Sequence, residues 1–304
     1  MRRKTGKYDV GRAAAFMIAA AFLLLLGLLS SAEAAVSIAT PGSALRDGAS
    51  SMVGFNAGGH TMMAIELTYT GGEPYEGPPI YEGTVAGVPN PFTWTVPVSM
   101  INSANCRLRI TCWTTGADEQ EAVSGLFTID NTAPEFTLEP VADPAIWTKG
   151  PVRIEFEATD PVVQQVSTGI DYYKVSVEGR DDYGEQVSPF DLDVASFPTG
   201  TYTAHVTAND IAGNQTTKDV MFQVDNTAPA AFDATTDKTG WTRDNVSISF
   251  STSDPTPGSG VIDHYAVSVD GGPFSTHASP YTMTEEGVHT VTVRAFDGAV
   301  PVGN

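Results

Sequence analysis

The chain repeats itself. Ile129-Asp-Asn-Thr-Ala-Pro134 returns as Val224-Asp-Asn-Thr-Ala-Pro229, 95 residues on. Trp147-Thr-Lys-Gly-Pro-Val-Arg-Ile-Glu-Phe156 returns as Trp241-Thr-Arg-Asp-Asn-Val-Ser-Ile-Ser-Phe250, 94 residues on, and Asp160-Pro161 returns as Asp254-Pro255 at the same distance. Tyr173-Lys-Val-Ser-Val177 matches Tyr265-Ala-Val-Ser-Val269 at 92, and the run Gly200–Asp210 matches Gly287–Asp297 at 87. Five matches in one order, with slowly drifting spacing, are two copies of one unit that differ in loop length.

Inside each copy the apolar residues recur at every second position. Val152, Ile154, Phe156 and Ala158 fall on one parity, with Arg153, Glu155 and Glu157 between them. Val246, Ile248 and Phe250 alternate with Ser247, Ser249 and Ser251. The Tyr173 and Tyr265 runs alternate too, as does Tyr202-Ala204-Val206-Ala208, and Val288-Thr290-Val291-Val293 does so with one slip. Period two sends one face of a strand into a core and the other to water. Gly, Pro, Asp and Asn punctuate the runs, as in Asp270-Gly-Gly-Pro273 and Pro255-Thr-Pro-Gly258, and these are turn residues. Short strands in a unit of this length predict a β-sandwich. The fold class is therefore all-β, tandem Ig-like sandwiches.

Residues 35–130 have the same texture, in Ala64–Tyr69, Phe92–Pro97, Cys106–Cys112 and Leu126–Ile129. They match the other copies poorly except at the exit into Asp130-Asn131. Ahead of them, five basic residues against Asp9 precede an unbroken apolar run, Ala13–Leu29, and the triplet Ala32-Glu33-Ala34. That order is a secretory signal peptide; the rival is an uncleaved anchor, for which 17 apolar residues are short of the ~20 of a spanning helix. The predicted organisation is a signal at 1–34 and sandwiches at 35–130, 131–225 and 226–304. The last copy has no counterpart of Gln215–Asp225, so the third sandwich is expected to lack its final strand. A continuing reading frame and a strand donated by a partner are the two accounts of that shortfall.

Residues 129–304 resemble the bacterial immunoglobulin-like repeats that occur in tandem on secreted and cell-surface proteins. The resemblance rests on Asp-Asn-Thr-Ala-Pro at each junction, Trp-Thr before the first core strand, Ser/Thr-Gly before the tyrosine strand, Asn209-Asp-Ile-Ala-Gly-Asn214, Val269-Asp-Gly-Gly-Pro-Phe274 and Glu286-Gly-Val-His-Thr290. The first unit is similar, less closely, to the amino-terminal Ig-like domain of Ser/Thr-rich wall-anchored secreted proteins, through Ile38-Ala-Thr-Pro-Gly42, Trp94-Thr-Val-Pro97, Cys106–Ile110 and Phe127-Thr-Ile129. Neither family carries catalytic residues. The resemblance implies adhesion, spacing or carbohydrate contact at the cell surface.

The chemistry-bearing residues are few. The formal charge is −20, and loss of residues 1–34, with five basic and two acidic groups, makes it −23. Such a balance repels phosphate backbones and excludes nucleic acid as a partner. Cys106 and Cys112 cannot bridge within one extended strand, where six residues span ~20 Å against the ~5.5–6 Å a disulfide needs between Cα atoms; they read as buried thiols. The five histidines are scattered, and no H-E-x-x-H or G-x-S-x-G occurs. Trp147 and Trp241 read as core or edge-packing aromatics, and no cluster supports sugar stacking by Trp94, Trp113 or Tyr75. Gly71–Pro79 is a candidate contact loop.

Calcium is the one cofactor the residues raise. Asp130 and Asp225 stand at module junctions, and Asp160, Asp210, Asn214, Asp254 and Asp297 at expected loop ends, with Asn304 beyond them. Loops of a sandwich gather at its two poles, and calcium takes oxygen ligands. The default for each residue is a turn role, and no D-x-D-x-D-G run is present. The expected protein is thus a non-catalytic secreted or cell-surface array acting on an extracellular protein or polysaccharide, with membrane contact only through an uncleaved signal. The alternative is the accessory region of a larger secreted hydrolase.

Overall fold

The computed structural model describes residues 34–69, 79–98, 101–143, 146–180 and 182–300. The signal segment up to residue 33, Tyr75 with nearly all of the 71–79 loop, and Asn304 lie outside these. The chain forms two compact units, Met1–Asp130 and Asn131–Asn304. Each is all-β. Among the described residues no helix is long and apolar enough to cross a membrane.

The first unit is organised by two long strands, β1 (Met62–Thr68) and β2 (Ser103–Trp113). They pair antiparallel from Met62 opposite Trp113 to Thr68 opposite Arg107. Met63, Ile65 and Leu67 meet Cys106, Leu108, Ile110 and Cys112 in one core, as their shared parity requires. β3 (Phe127–Ile129) borders β2 on the opposite side from β1. A separate pair, Ser50–Val53 with Phe92–Thr95, supplies Trp94. Trp94 packs edge-on against Phe127 at 5.8 Å between ring centroids, which makes it a core residue. Cys106 and Cys112 are free and buried. Burial pushes the Cys106 thiol up to about 11 and Cys112 upward as well, because the thiolate loses its hydration.

The second unit holds two sandwiches in series. In the former, β4 (Glu135–Asp143), β5 (Val152–Thr159) and β8 (Phe190–Leu192) make one sheet. β7 (Asp182–Gln186), β6 (Ile170–Val177), β9 (Gly200–Asp210) and β10 (Gln215–Val224) make the other, in that spatial order. Three strands facing four, with sequence-distant strands adjacent, is the Greek-key sandwich of Ig-like and fibronectin-like modules. Val152, Ile154 and Phe156 of β5 face Val175, Val177, Ala204, Val206, Phe222 and Val224 across it.

The latter sandwich repeats this plan. Thr235–Thr236, β11 (Val246–Ser249) and β14 (Tyr281–Met283) form one sheet. β13 (Ser275–His277), β12 (Ile262–Val269) and β15 (Val291–Asp297) form the other. Among the described residues β15 pairs with β12 alone, and the position that β10 fills beside β9 has no strand. The core follows suit: Ile248, Phe250, Val267 and Met283 are buried, while Val291 and Val293 are only partly covered. The alternation expected from Val288 begins later, at Val291, because Val288 and Thr290 lie outside the strand.

The two sandwiches are joined through Thr148, the residue after Trp147. Its NH donates to Gln223 O at 3.0 Å, and its carbonyl accepts from Asp225 N at 2.8 Å. Val300, just beyond β15, donates to Trp147 O at 3.0 Å and accepts from Lys149 N at 2.9 Å. The segment 147–149 is thus gripped from both sandwiches, and residues 131–304 hold together as one unit.

Candidate functional site

Three aspartates meet where the sandwiches join. Asp225 follows directly on β10, Asp254 lies in the loop after β11, and Asp297 is the last residue of β15. One carboxylate oxygen from each lies within 4.8 Å of the other two. Asp225 and Asp297 are 0% exposed and Asp254 is 6% exposed. They stand 29 and 43 residues apart in sequence, so only the sandwich topology brings them together.

Each carboxylate also organises the loop around it, as strand-end aspartates do. Asp225 Oδ1 accepts from Thr227 N at 3.1 Å and from Thr199 Oγ1 at 3.4 Å, and Oδ2 accepts from Ser259 N at 2.7 Å. Asp254 Oδ2 accepts from Ser259 Oγ and Gly260 N, both at 2.7 Å. Asp297 Oδ1 accepts from Ala299 N at 3.0 Å. Gly258 lets the loop close: a Cβ there would stand 2.8 Å from Pro255 O and 3.0 Å from Asp225 Oδ2, at a φ of +154°. Only glycine adopts that backbone freely.

The remaining oxygen of Asp254, Oδ1, takes none of these donors. Oδ1 is buried and has no hydrogen-bond partner. Two carboxylates within 4.8 Å repel by about 3 kcal/mol at an effective dielectric of about 20. The donors around Asp254 are a hydroxyl and an amide, both neutral. The cluster is an all-oxygen, negatively charged pocket, the donor chemistry of a hard cation site.

A related pair occurs within the former sandwich. Asp160 Oδ2 accepts from Ser167 Oγ, Thr168 N and Gly169 N at 2.9, 2.7 and 2.8 Å, and its Oδ1 is buried without a hydrogen-bond partner. Asp210 lies beside it. Burial raises the Asp210 carboxyl, and the charge of Asp160 adds to that rise; hydrogen bonds from Asn214 and Gly213 oppose it. Asn214 reaches Asp210 with nitrogens, its backbone N and Nδ2, each at 2.8 Å. Asp130 ends the first unit, fully buried, with its NH on Leu45 O at 2.8 Å.

Sequence reasoning picked out the aspartates and passed over Ser259, Thr148 and Val300. Ser259-Gly260 stood in view as the Ser/Thr-Gly step before the tyrosine strand, the signal that could have found it. Nothing local marks Val300. Trp241 corrects an expectation: it is 88% exposed, not packed in a core or along an edge. It lines an open cleft with Arg243, Met283 and His289. The reason is the strand beside its repeat counterpart: β10 ends against Thr148, whereas among the described residues no strand end lies beside Thr242. Three histidines are paired with neighbouring carboxylates: His205 with Asp219, His264 with Asp263, and His289 with Asp270, at 2.7 to 2.8 Å.

No family model and no curated protein matches the chain. Solved structures give distant likenesses. The fibronectin(III)-like modules of Clostridium thermocellum CbhA match over 61% of this chain and 90% of theirs, at 14% identity and a TM-score of 0.37. Three N-terminal domains of the bacteriophage RB49 outer capsid protein Hoc match over 86% and 92%, at 12% identity and 0.35. A structure described for host cell surface retention of a bacterial ice-binding adhesin matches over 88% and 93%, at 14% identity and 0.31. At these scores the likenesses carry no argument about function. What the chain's own strands show is a series of Ig-like sandwiches.

Proposed function

We propose that this protein is a non-catalytic, secreted or surface-held array of Ig-like sandwiches that spaces or presents a binding surface. One observation carries the reading. In residues 131–304 the exit strand of one sandwich, β10, passes through Asp225 into the loops of the next, and Asp225 is hydrogen-bonded on both sides of the joint, to Thr148 and to Ser259. A joint fixed by backbone and buried side-chain bonds holds these two modules in a set orientation, which suits a spacer. The amino-terminal basic, apolar and Ala-x-Ala pattern supports export, and the acidic surface suits a soluble extracellular chain.

The test is capture by the intact chain against panels of polysaccharides and extracellular matrix proteins, run beside assays for glycoside and peptide hydrolysis. Saturable capture without turnover is the expected result. Hydrolysis by the purified chain that persists through repurification overturns the reading.

A further inference from the structure

We propose that Asp225, Asp254 and Asp297 bind a divalent cation of the calcium class, and that the bound ion clamps the joint between the two sandwiches of residues 131–304. Three side chains buried to nine-tenths or more bring one carboxylate oxygen each within 4.8 Å of the others. A turn aspartate accepts hydrogen bonds from the backbone close to it. Here Asp254 Oδ1 is buried and unbonded while Oδ2 takes both local donors. Buried polar atoms in folded proteins have partners, and among three carboxylates the partner that fits is a cation.

The geometry favours calcium. Oxygens bound to one calcium at ~2.3–2.6 Å lie no more than about 5 Å apart, and the three carboxylates meet that limit at 4.8 Å. Magnesium sheds its water reluctantly, which a site walled in at 0–6% exposure opposes. The all-oxygen donor set disfavours softer metals.

The position of the site says what the ion does. Asp225 is held to Thr148 O through its own NH. Asp297 lies three residues before Val300, which bonds to Trp147, Thr148 and Lys149. An ion shared by Asp225 and Asp297 therefore closes a ring whose other side is the 147–149 segment. Without it, three like charges press the same segments apart.

The test is a calcium titration of the intact chain followed by amide NMR at Ser259, Gly260 and Ala299, whose NH groups bond to the three carboxylates. Shifts saturating in the range of about 0.1–1 mM calcium, at least tenfold below the magnesium concentration needed, are expected. The melting temperature should rise with calcium as ligand linkage requires. Asp254→Asn should weaken calcium at these amides at least tenfold. Gly258→Ala, which presses on Asp225 Oδ2 without removing a charge, should also weaken it, and serves if the first variant does not fold. Unmoved amides at about 10 mM calcium overturn the proposal. Equal calcium response in the wild type and either folded variant overturns it too.

Discussion

At the residue scale, parity decides burial and neighbours decide charge. His289 and Asp270 show the second effect. The hydrogen bond that the ring donates to Asp270 leads the causes that raise the imidazole, and the Thr290 amide followed by His289 lowers the carboxyl. The pair is charged between those two values. Its contribution is lost as pH rises through the raised histidine value, and lost again as pH falls through the depressed aspartate value. Histidine NMR titration should place His289 above the ordinary range, and Asp270→Asn should return it there; an unchanged titration would remove the pairing. The cysteines illustrate the first effect. Buried and raised, Cys106 and Cys112 should resist alkylation at pH 8 in the native chain and react on unfolding. Native labelling at the rate of a free thiol would contradict their burial.

At the scale of strands, pairing and core depth set local stability. β9 and β10 pair without a break from Gly200 opposite Val224 to Asn209 opposite Gln215. β15 has a partner on one edge only among the described residues, and the core beneath it is thin. Hydrogen exchange should therefore be slower at β9 amides than at β15 amides; the reverse order would mean that β15 is covered. Phe156 sits deep in the former core, against Tyr173 at 5.0 Å between ring centroids. Phe156→Ala should cost about 3–5 kcal/mol by denaturant unfolding. Phe250 packs against Tyr265 at the same 5.0 Å, with the rings tilted, in the thinner core, so its replacement by alanine should cost less.

These strands were legible because alternation is local. The parity of Val152, Ile154 and Phe156 in sequence is the parity of their burial in β5. The slip at Val288 was harder to place, since a turn ending on Thr290 carries the same residue types as the strand that follows. Trp241 departs from the expected packing for another reason. Its repeat counterpart Trp147 leads into Thr148, which is covered by the end of β10. A motif match between copies carries no information on whether that cover is present.

At the scale of the whole molecule, charge and joints matter. A formal charge of −20 makes self-repulsion a general load on the fold. Raising sodium chloride from about 10 to about 150 mM shortens the screening length from roughly 30 to 8 Å, so the melting temperature should rise by calorimetry. A fall would show that specific surface pairs such as Lys218–Glu139 and Arg153–Glu155 outweigh net repulsion. Heating should also melt the latter sandwich of residues 131–304 before the former, because fewer of its side chains are withdrawn from water.

By itself the sequence determined the repeated unit, the strands within it and the aspartates at their ends, since these follow from periodicity and turn chemistry within a few residues. Only the tertiary structure decided that Asp225, Asp254 and Asp297 share one buried point, that Val300 returns to Thr148, and that Trp241 faces solvent. Those facts depend on sheet register and loop closure between segments tens of residues apart. No local pattern encodes such distances; they are fixed when the two sheets of each sandwich close on a common core.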